Sequence, residues 1–162
     1  GNLGEHHAAI VAGRMGIENT ISSDCAPLNS LVADLIEHHI EVRCMRDVTR
    51  GGLATVLNEL SESSDCRVDI RETSIPVSRE VTGFCDILGL DPLYMANEGK
   101  MIAVVPKEQS KEALAVMREN KYGKNAEMIG TVAEGSGVCM TTKLHGSRII
   151  DVMYGEGLPR IC

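Results

Sequence analysis

Residues 45–72 read MRDVTRGGLATVLNELSESSDCRVDIRE, and the change of period inside this stretch decides the fold. Leu53, Val56, Leu57 and Leu60 recur at the spacing of one face of an α-helix, with the acids Glu59 and Glu62 left outside. The pattern then switches to alternation over CRVDIRE (66–72), as in a strand with one buried face. Ahead of the helix, EVRCMRD (41–47) reads as a buried strand that runs into VTRGG.

Outward from this unit, HHAAIVAGRMG (6–16) predicts a short helix closed by glycine, and PLNSLVADLIEHH (27–39) an amphipathic helix. The apolar face of the second carries Leu28, Leu31, Val32, Leu35 and Ile36. His38 and His39 stand at its C-terminal end, where a cation complements the helix dipole. As adjacent residues they point to different faces, which argues for capping and against a shared metal. PVSREVTGFCDILG (76–89) reads as a helix that opens at proline and closes at Gly89. After the loop LDPLYMANEG, KMIAVVP (100–106) is a continuous apolar strand of the buried type. KEQSKEALAVMREN (107–120) is a further amphipathic helix, and AEMIGTVAE, GVCMTTK and SRIIDVM are three strands joined by short glycine turns. Strands and helices mix without strict β–α–β alternation, which predicts an α+β domain with a mixed sheet covered by helices.

The 162 residues suit one domain. With no Trp, one Phe and three Tyr, the core has to be built from Val, Ile, Leu, Met and Ala. A formal charge of −7 argues against a nucleic-acid partner, which wants a basic face to displace counterions from phosphate. No apolar run is long enough to span a bilayer, so no membrane partner is expected. The chain opens on GNLGEHHAAIVAGRMG with neither a secretion signal nor Met, and the expectation is a piece of a larger protein. The six cysteines are scattered and include no C-x-x-C pair, against both a disulfide framework and a zinc site. Cys25, Cys44, Cys66, Cys85 and Cys139 are expected to be reduced and mostly buried, as in a cytosolic protein.

Four stretches hold more chemistry than packing requires. GNLGEHH (1–7) has glycines that allow close backbone approach beside Glu5, His6 and His7. In MRDVTRGG (45–52), Arg46 and Arg50 flank Asp47 and Thr49 at the start of a helix, where free N–H groups attract anions. Either the two arginines clamp a phosphate or carboxylate, or the segment is a capped helix start with an Arg–Asp pair. MANEGK (95–100) puts Glu98 and Lys100 around Gly99, as an acid–base couple or a surface ion pair. The sequence closes on GEGLPRIC (155–162), where Cys162 is either a frayed end or a reactive tip on a mobile arm.

SDCAPLN (23–29), MRDVTRGGLATVLNE (45–59), GLDPLYMANEGK (89–100) and the closing LPRIC together resemble the C-terminal domain of the HypE family of hydrogenase maturation proteins, over almost the whole chain and in order. GNLGEHH is similar to that family's glycine segment, with Glu5 and His7 where Asp and Gly are usual, and Val48 stands where proline is usual. The RDxTRGG-type segment recurs in the aminoimidazole ribonucleotide synthetase and selenophosphate synthetase superfamily, whereas the PRIC end is specific to HypE.

The resemblance implies a fold like the C-terminal domain of aminoimidazole ribonucleotide synthetase over residues 1–153, and a flexible tail over 154–162. It implies that Cys162 accepts a carbamoyl group from the carbamoyltransferase HypF. ATP with Mg, bound mainly by an N-terminal domain outside this chain, would then drive dehydration to a thiocyanate. The cyanide passes to iron on the HypC–HypD complex, for nickel–iron hydrogenase. By the same resemblance Glu98 is the base and Asn97 orients the amide. Arg46, Asp47, Thr49, Arg50 and, more weakly, His6 face the nucleotide side. A cytoplasmic homodimer is expected of the whole protein, and no dehydratase activity of the isolated chain. Two alternatives are an ATP-dependent synthetase of the selenophosphate or purine type, and a non-catalytic interaction domain.

Overall fold

The structure is a computed structural model that describes residues 1–153; the tail of residues 154–162 lies outside the described residues. The opening stretch folds as its two periods require. Helix α3 (Gly52–Ser64) leads into strand β2 (Cys66–Arg71), following strand β1 (Cys44–Asp47). Val68 and Ile70 of β2 are buried while Arg67 and Arg71 are exposed, the two-residue alternation of a sheet with one covered face. Leu53, Leu57 and Leu60 of α3 lie against that face and form the main core with Val68 and Ile70.

The sheet around β2 also contains β4 (Gly130–Glu134), β5 (Gly137–Thr141) and β6 (Ser147–Ile150), in the order β4-β2-β5-β6. It is mixed: β2 runs antiparallel to β4, with Val68 opposite Val132, and parallel to β5, with Val68 opposite Val138. Strand β6 closes it antiparallel to β5, and Val138, Met140 and Ile150 join the core. The α+β fold with a mixed sheet is thus borne out.

Four features of the fold depart from the sequence reading. Strands β1 and β3 (Met101–Val104) form a separate two-stranded antiparallel sheet, Cys44 opposite Val104. The apolar run of β3 predicts burial on both faces, yet all four of its side chains are only half-buried, and Arg46 and Asp47 of β1 are exposed. The physical reason is that β3 pairs on one side only and borders an open, mostly apolar cavity of about 580 Å³, whose lining also includes Met128 and Val132. Second, of the five cysteines described, all free, only Cys85 is buried; Cys25 is exposed and the others are intermediate. Third, the helix expected from Pro76 begins at Arg79 as α4 (Arg79–Leu88), because Ser78 caps it by accepting a hydrogen bond from the Val81 N–H. Such a cap contributes about 1 kcal/mol.

The remaining helices, α1 (Glu5–Arg14), α2 (Asn29–Glu37) and α5 (Ser110–Glu119), form two smaller cores. Ala8, Val11 and Ala12 of α1 pack with Val81, Phe84 and Cys85 of α4 and with Met95. Leu35 of α2 packs with Ala113 and Val116 of α5. Ile36, expected on the apolar face of α2, is instead 64% exposed. His38 does cap α2, its Nδ1 lying 2.8 Å from the Asp34 carbonyl. Among the described residues no helix is long and apolar enough to cross a membrane.

Candidate functional site

Three of the four polar stretches, far apart in sequence, meet around the turn at residues 95–100. The start of α3 approaches it first. Gly52 has φ 66°, and a Cβ there would lie 2.4 Å from the Leu93 carbonyl oxygen, so only glycine lets the helix start sit against the Pro92–Tyr94 turn. The Val48 N–H then donates to the Lys100 carbonyl at 2.9 Å, which joins MRDVTRGG to MANEGK directly. From the other side the first turn of α1 docks by its backbone: the Gly4 N–H donates to Asn97 Oδ1 at 2.8 Å. Asn97 is wholly buried, and its Nδ2 donates to the Met95 carbonyl at 3.0 Å. Its amide is committed to the protein, so any hold it has on a substrate passes through the turn it fixes.

A further segment, residues 22–26, lies across the turn like a strap. A Cβ on Gly99 would fall 1.9 Å from the Asp24 carbonyl oxygen, and this close approach is what requires glycine there. His6 ties the strap to α1, with Nδ1 2.7 Å from Ser23 Oγ. The expected couple of Glu98 and Lys100 does not form. Lys100 turns inward, its Nζ 2.8 Å from Asp24 Oδ2 and 3.6 Å from Glu5 Oε2. The side chains of Asp24 and Lys100 are 1% and 10% exposed, so this is a buried ion pair. Glu98 is left exposed at the surface of the turn, with its backbone N–H donated to Asp24 Oδ1 at 3.1 Å.

Among the described residues the Arg–Asp pair of the capped-start reading does not form. Arg46 pairs across the surface with Glu59 of α3 at 2.8 Å, rather than with Asp47. Asp47 Oδ2 instead accepts from the Thr49 hydroxyl at 3.2 Å. The helix start itself is capped by Gly51 in the left-handed conformation, with no side-chain bond to its N–H groups. Arg50 is exposed beside it. Cys162 lies outside the described residues.

Sequence reasoning missed Asp24 and the inward turn of Lys100, and it named His7 only as one of the polar groups of GNLGEHH. His7 is 2% exposed, and its Nδ1 accepts a long bond, 3.5 Å, from the Ala96 N–H. That bond requires the neutral ring. Burial pushes the imidazole below its ordinary value of 6.5, and the nearby His6 and Arg14 add to the shift. The unfolded chain therefore takes up this proton before the folded one does. The stabilisation is complete above pH 6.5 and is lost as the pH falls through the lowered value. Denaturant unfolding between pH 7.5 and 5 should show stability declining below about pH 6.5, by at most ~1.4 kcal/mol per pH unit for this group. In His7→Gln that part of the slope should vanish, and an unchanged slope would remove His7 as its source.

The chain belongs to the family described as AIR synthase related protein, C-terminal domain, which matches residues 1–142. Within that class its resemblance to HypE is borne out. It is 48% identical over 166 residues to carbamoyl dehydratase HypE of Rhodobacter capsulatus, covering 100% of this chain and 49% of the relative. A crystal structure of hydrogenase maturation protein HypE in complex with ATP superposes with a TM-score of 0.94 at 41% identity, over 100% of this chain and 51% of that one. HypE in a crystal structure of a HypE–HypF complex superposes with a TM-score of 0.89 at 38% identity, over 94% of this chain and 51% of that one. The chain spans about half the length of the curated relatives it matches.

Proposed function

We propose that this chain is the C-terminal part of a carbamoyl dehydratase that makes the cyanide ligands of nickel–iron hydrogenase. The observation that carries the reading is the closing LPRIC, with a thiol at Cys162, on a chain that otherwise follows HypE end to end. The thiol of Cys162 accepts a carbamoyl group from HypF. The relative solved with ATP and the relative solved with HypF support these two partners. ATP with Mg, held mainly by the other half of the protein, supplies the phosphoryl group that turns the carbamoyl oxygen into a leaving group.

The residues of this chain then complete the dehydration. Two protons must leave the nitrogen as the C≡N bond forms and phosphate departs, and a positioned carboxylate accelerates such a transfer. Glu98 is the base: its carboxylate is exposed on a turn that Asn97 fixes and that the Val48 N–H bonds to the segment before α3. Arg50 and the N–H end of α3, to which no side chain bonds, face phosphate together with Thr49 in this reading. Arg46 and Asp47 shape that edge through their bonds to Glu59 and Thr49, and His6 holds the strap. The S–C bond of the Cys162 thiocyanate is then cleaved reductively: two electrons from the acceptor complex leave the Cys162 thiolate as cyanide passes to iron on HypC–HypD, the iron being cargo. The whole protein works as a cytoplasmic homodimer, and this chain alone is inactive.

Intact-mass analysis of the full-length protein with HypF, carbamoyl phosphate and ATP tests this. One carbamoyl adduct should form and then lose one water, the second step only with ATP. A protein that is never carbamoylated would refute the assignment.

A further inference from the structure

We propose that Asp24 is a positioning residue for Glu98, a buried carboxylate that holds the Glu98 backbone N–H on one side of Gly99 and the Lys100 ammonium on the other. The proposal rests on the reading of Glu98 as base.

Among the described residues no side chain holds the Glu98 carboxylate, so its location is set by the backbone that carries it. One buried group holds the turn at two points, the Glu98 backbone N–H and the Lys100 side chain. Asp24 Oδ1 accepts the Glu98 N–H at 3.1 Å, and Asp24 Oδ2 lies 2.8 Å from Lys100 Nζ. Glu98 and Lys100 flank Gly99, and the missing Cβ of Gly99 is what lets the Asp24 backbone come down onto the turn. The Asp24 side chain is 1% exposed, so water does not compete for either contact. The strap that carries Asp24 is itself held, by Ser23 to His6 at 2.7 Å. An exposed acid is thus mounted on a backbone fixed by a buried one. Reaction rates depend steeply on such placement: a shift of about 1 Å can cost about 10²-fold.

The test uses the full-length protein loaded with carbamoyl, and follows loss of water per loaded molecule by intact mass after ATP is added. Asp24→Asn, Glu98→Gln and the double variant are compared across pH, over hours for the slow ones. Asp24→Asn should slow water loss by about 10²-fold. In the Glu98→Gln background the same change should have little further effect, because groups acting through one another are not additive. Should Asp24→Asn fail to fold, Asp24→Asn combined with Lys100→Met removes both buried charges and carries the same expectation. Water loss at the parental rate in a folded Asp24 variant overturns the positioning role alone. So does an undiminished effect in the Glu98→Gln background. Parental water loss in Glu98→Gln overturns the base assignment itself, and the positioning role with it.

Discussion

Cys162→Ala should abolish both mass changes in the full-length protein, with no carbamoyl adduct formed and no water lost when ATP is added. The expected effect is complete rather than graded, because the acceptor atom is removed and not merely weakened. The other thiols should not replace it. Cys85 is buried, and burial, with Asp91 and Asp86 nearby, pushes its thiol up to about 11, where almost none is thiolate at neutral pH. Cys44, Cys66 and Cys139 are partly covered within strands. Cys25 is the exposed one, and it sits in the strap next to Asp24. Its backbone N–H is tied to Ser23 Oγ at 3.2 Å, in a segment held over the turn. A carrier has to visit a donor enzyme, a dehydration site and an acceptor of cyanide, which a sulfur in a docked strap is not built to do. Residual carbamoylation in Cys162→Ala, mapped by peptide mass, would point to Cys25 and would dismiss the terminal thiol as the carrier.

The parts of the fold that were legible in the sequence are those specified by local period. Leu53, Val56, Leu57 and Leu60 announce α3 because a helix brings residues three and four apart onto one side, and all four are buried. Val68 and Ile70 announce β2 by alternation for the same kind of reason. What period cannot report is how many partners a strand has. The apolar run of β3 is the same whether two neighbours cover it or one, so its half-exposed position beside the cavity was hidden. Ile36 shows the complementary limit, since a residue can share a helix face with Leu35 and still lie beyond the edge of the packed neighbour.

The candidate site divides in the same way. Its segments were visible as stretches too polar and too rich in glycine for packing alone. The pairing within them was not. Glu98 and Lys100 stand two residues apart and look like a couple, yet the lysine reaches a carboxylate 76 positions earlier in the chain. Nothing local marks Asp24 as that partner; only the close approach at Gly99, a fact of three dimensions, brings the two together. The motif SDCAPLN did carry Asp24 within the family resemblance, but without a role attached. The proposed acceptor, Cys162, rests on the sequence alone.

Lys100→Met should destabilise the folded chain by about 3–5 kcal/mol, since it leaves a buried carboxylate without its counter-charge. Methionine fills much the same volume as the lysine stem, so the loss is electrostatic rather than a cavity effect. The contrast with the surface pairs is the point. Arg46–Glu59 has both side chains 47% exposed, and a pair of that kind contributes about 0–1 kcal/mol. Asp24 and Lys100 are 1% and 10% exposed, and water cannot take over the solvation of the orphaned partner. Glu5, 3.6 Å from the same ammonium, makes matters worse for the variant, because two carboxylates then face each other across the vacated position. The cost belongs to the broken pair and not to the loss of charge as such. Adding Asp24→Asn to Lys100→Met should therefore restore most of the stability, with the double variant more stable than Lys100→Met alone, a coupling that neither single change predicts. Urea unfolding of the four proteins measures this directly. A Lys100→Met chain within about 1 kcal/mol of the parent would mean that Asp24 is solvated in solution, and the strap does not close on the turn as described.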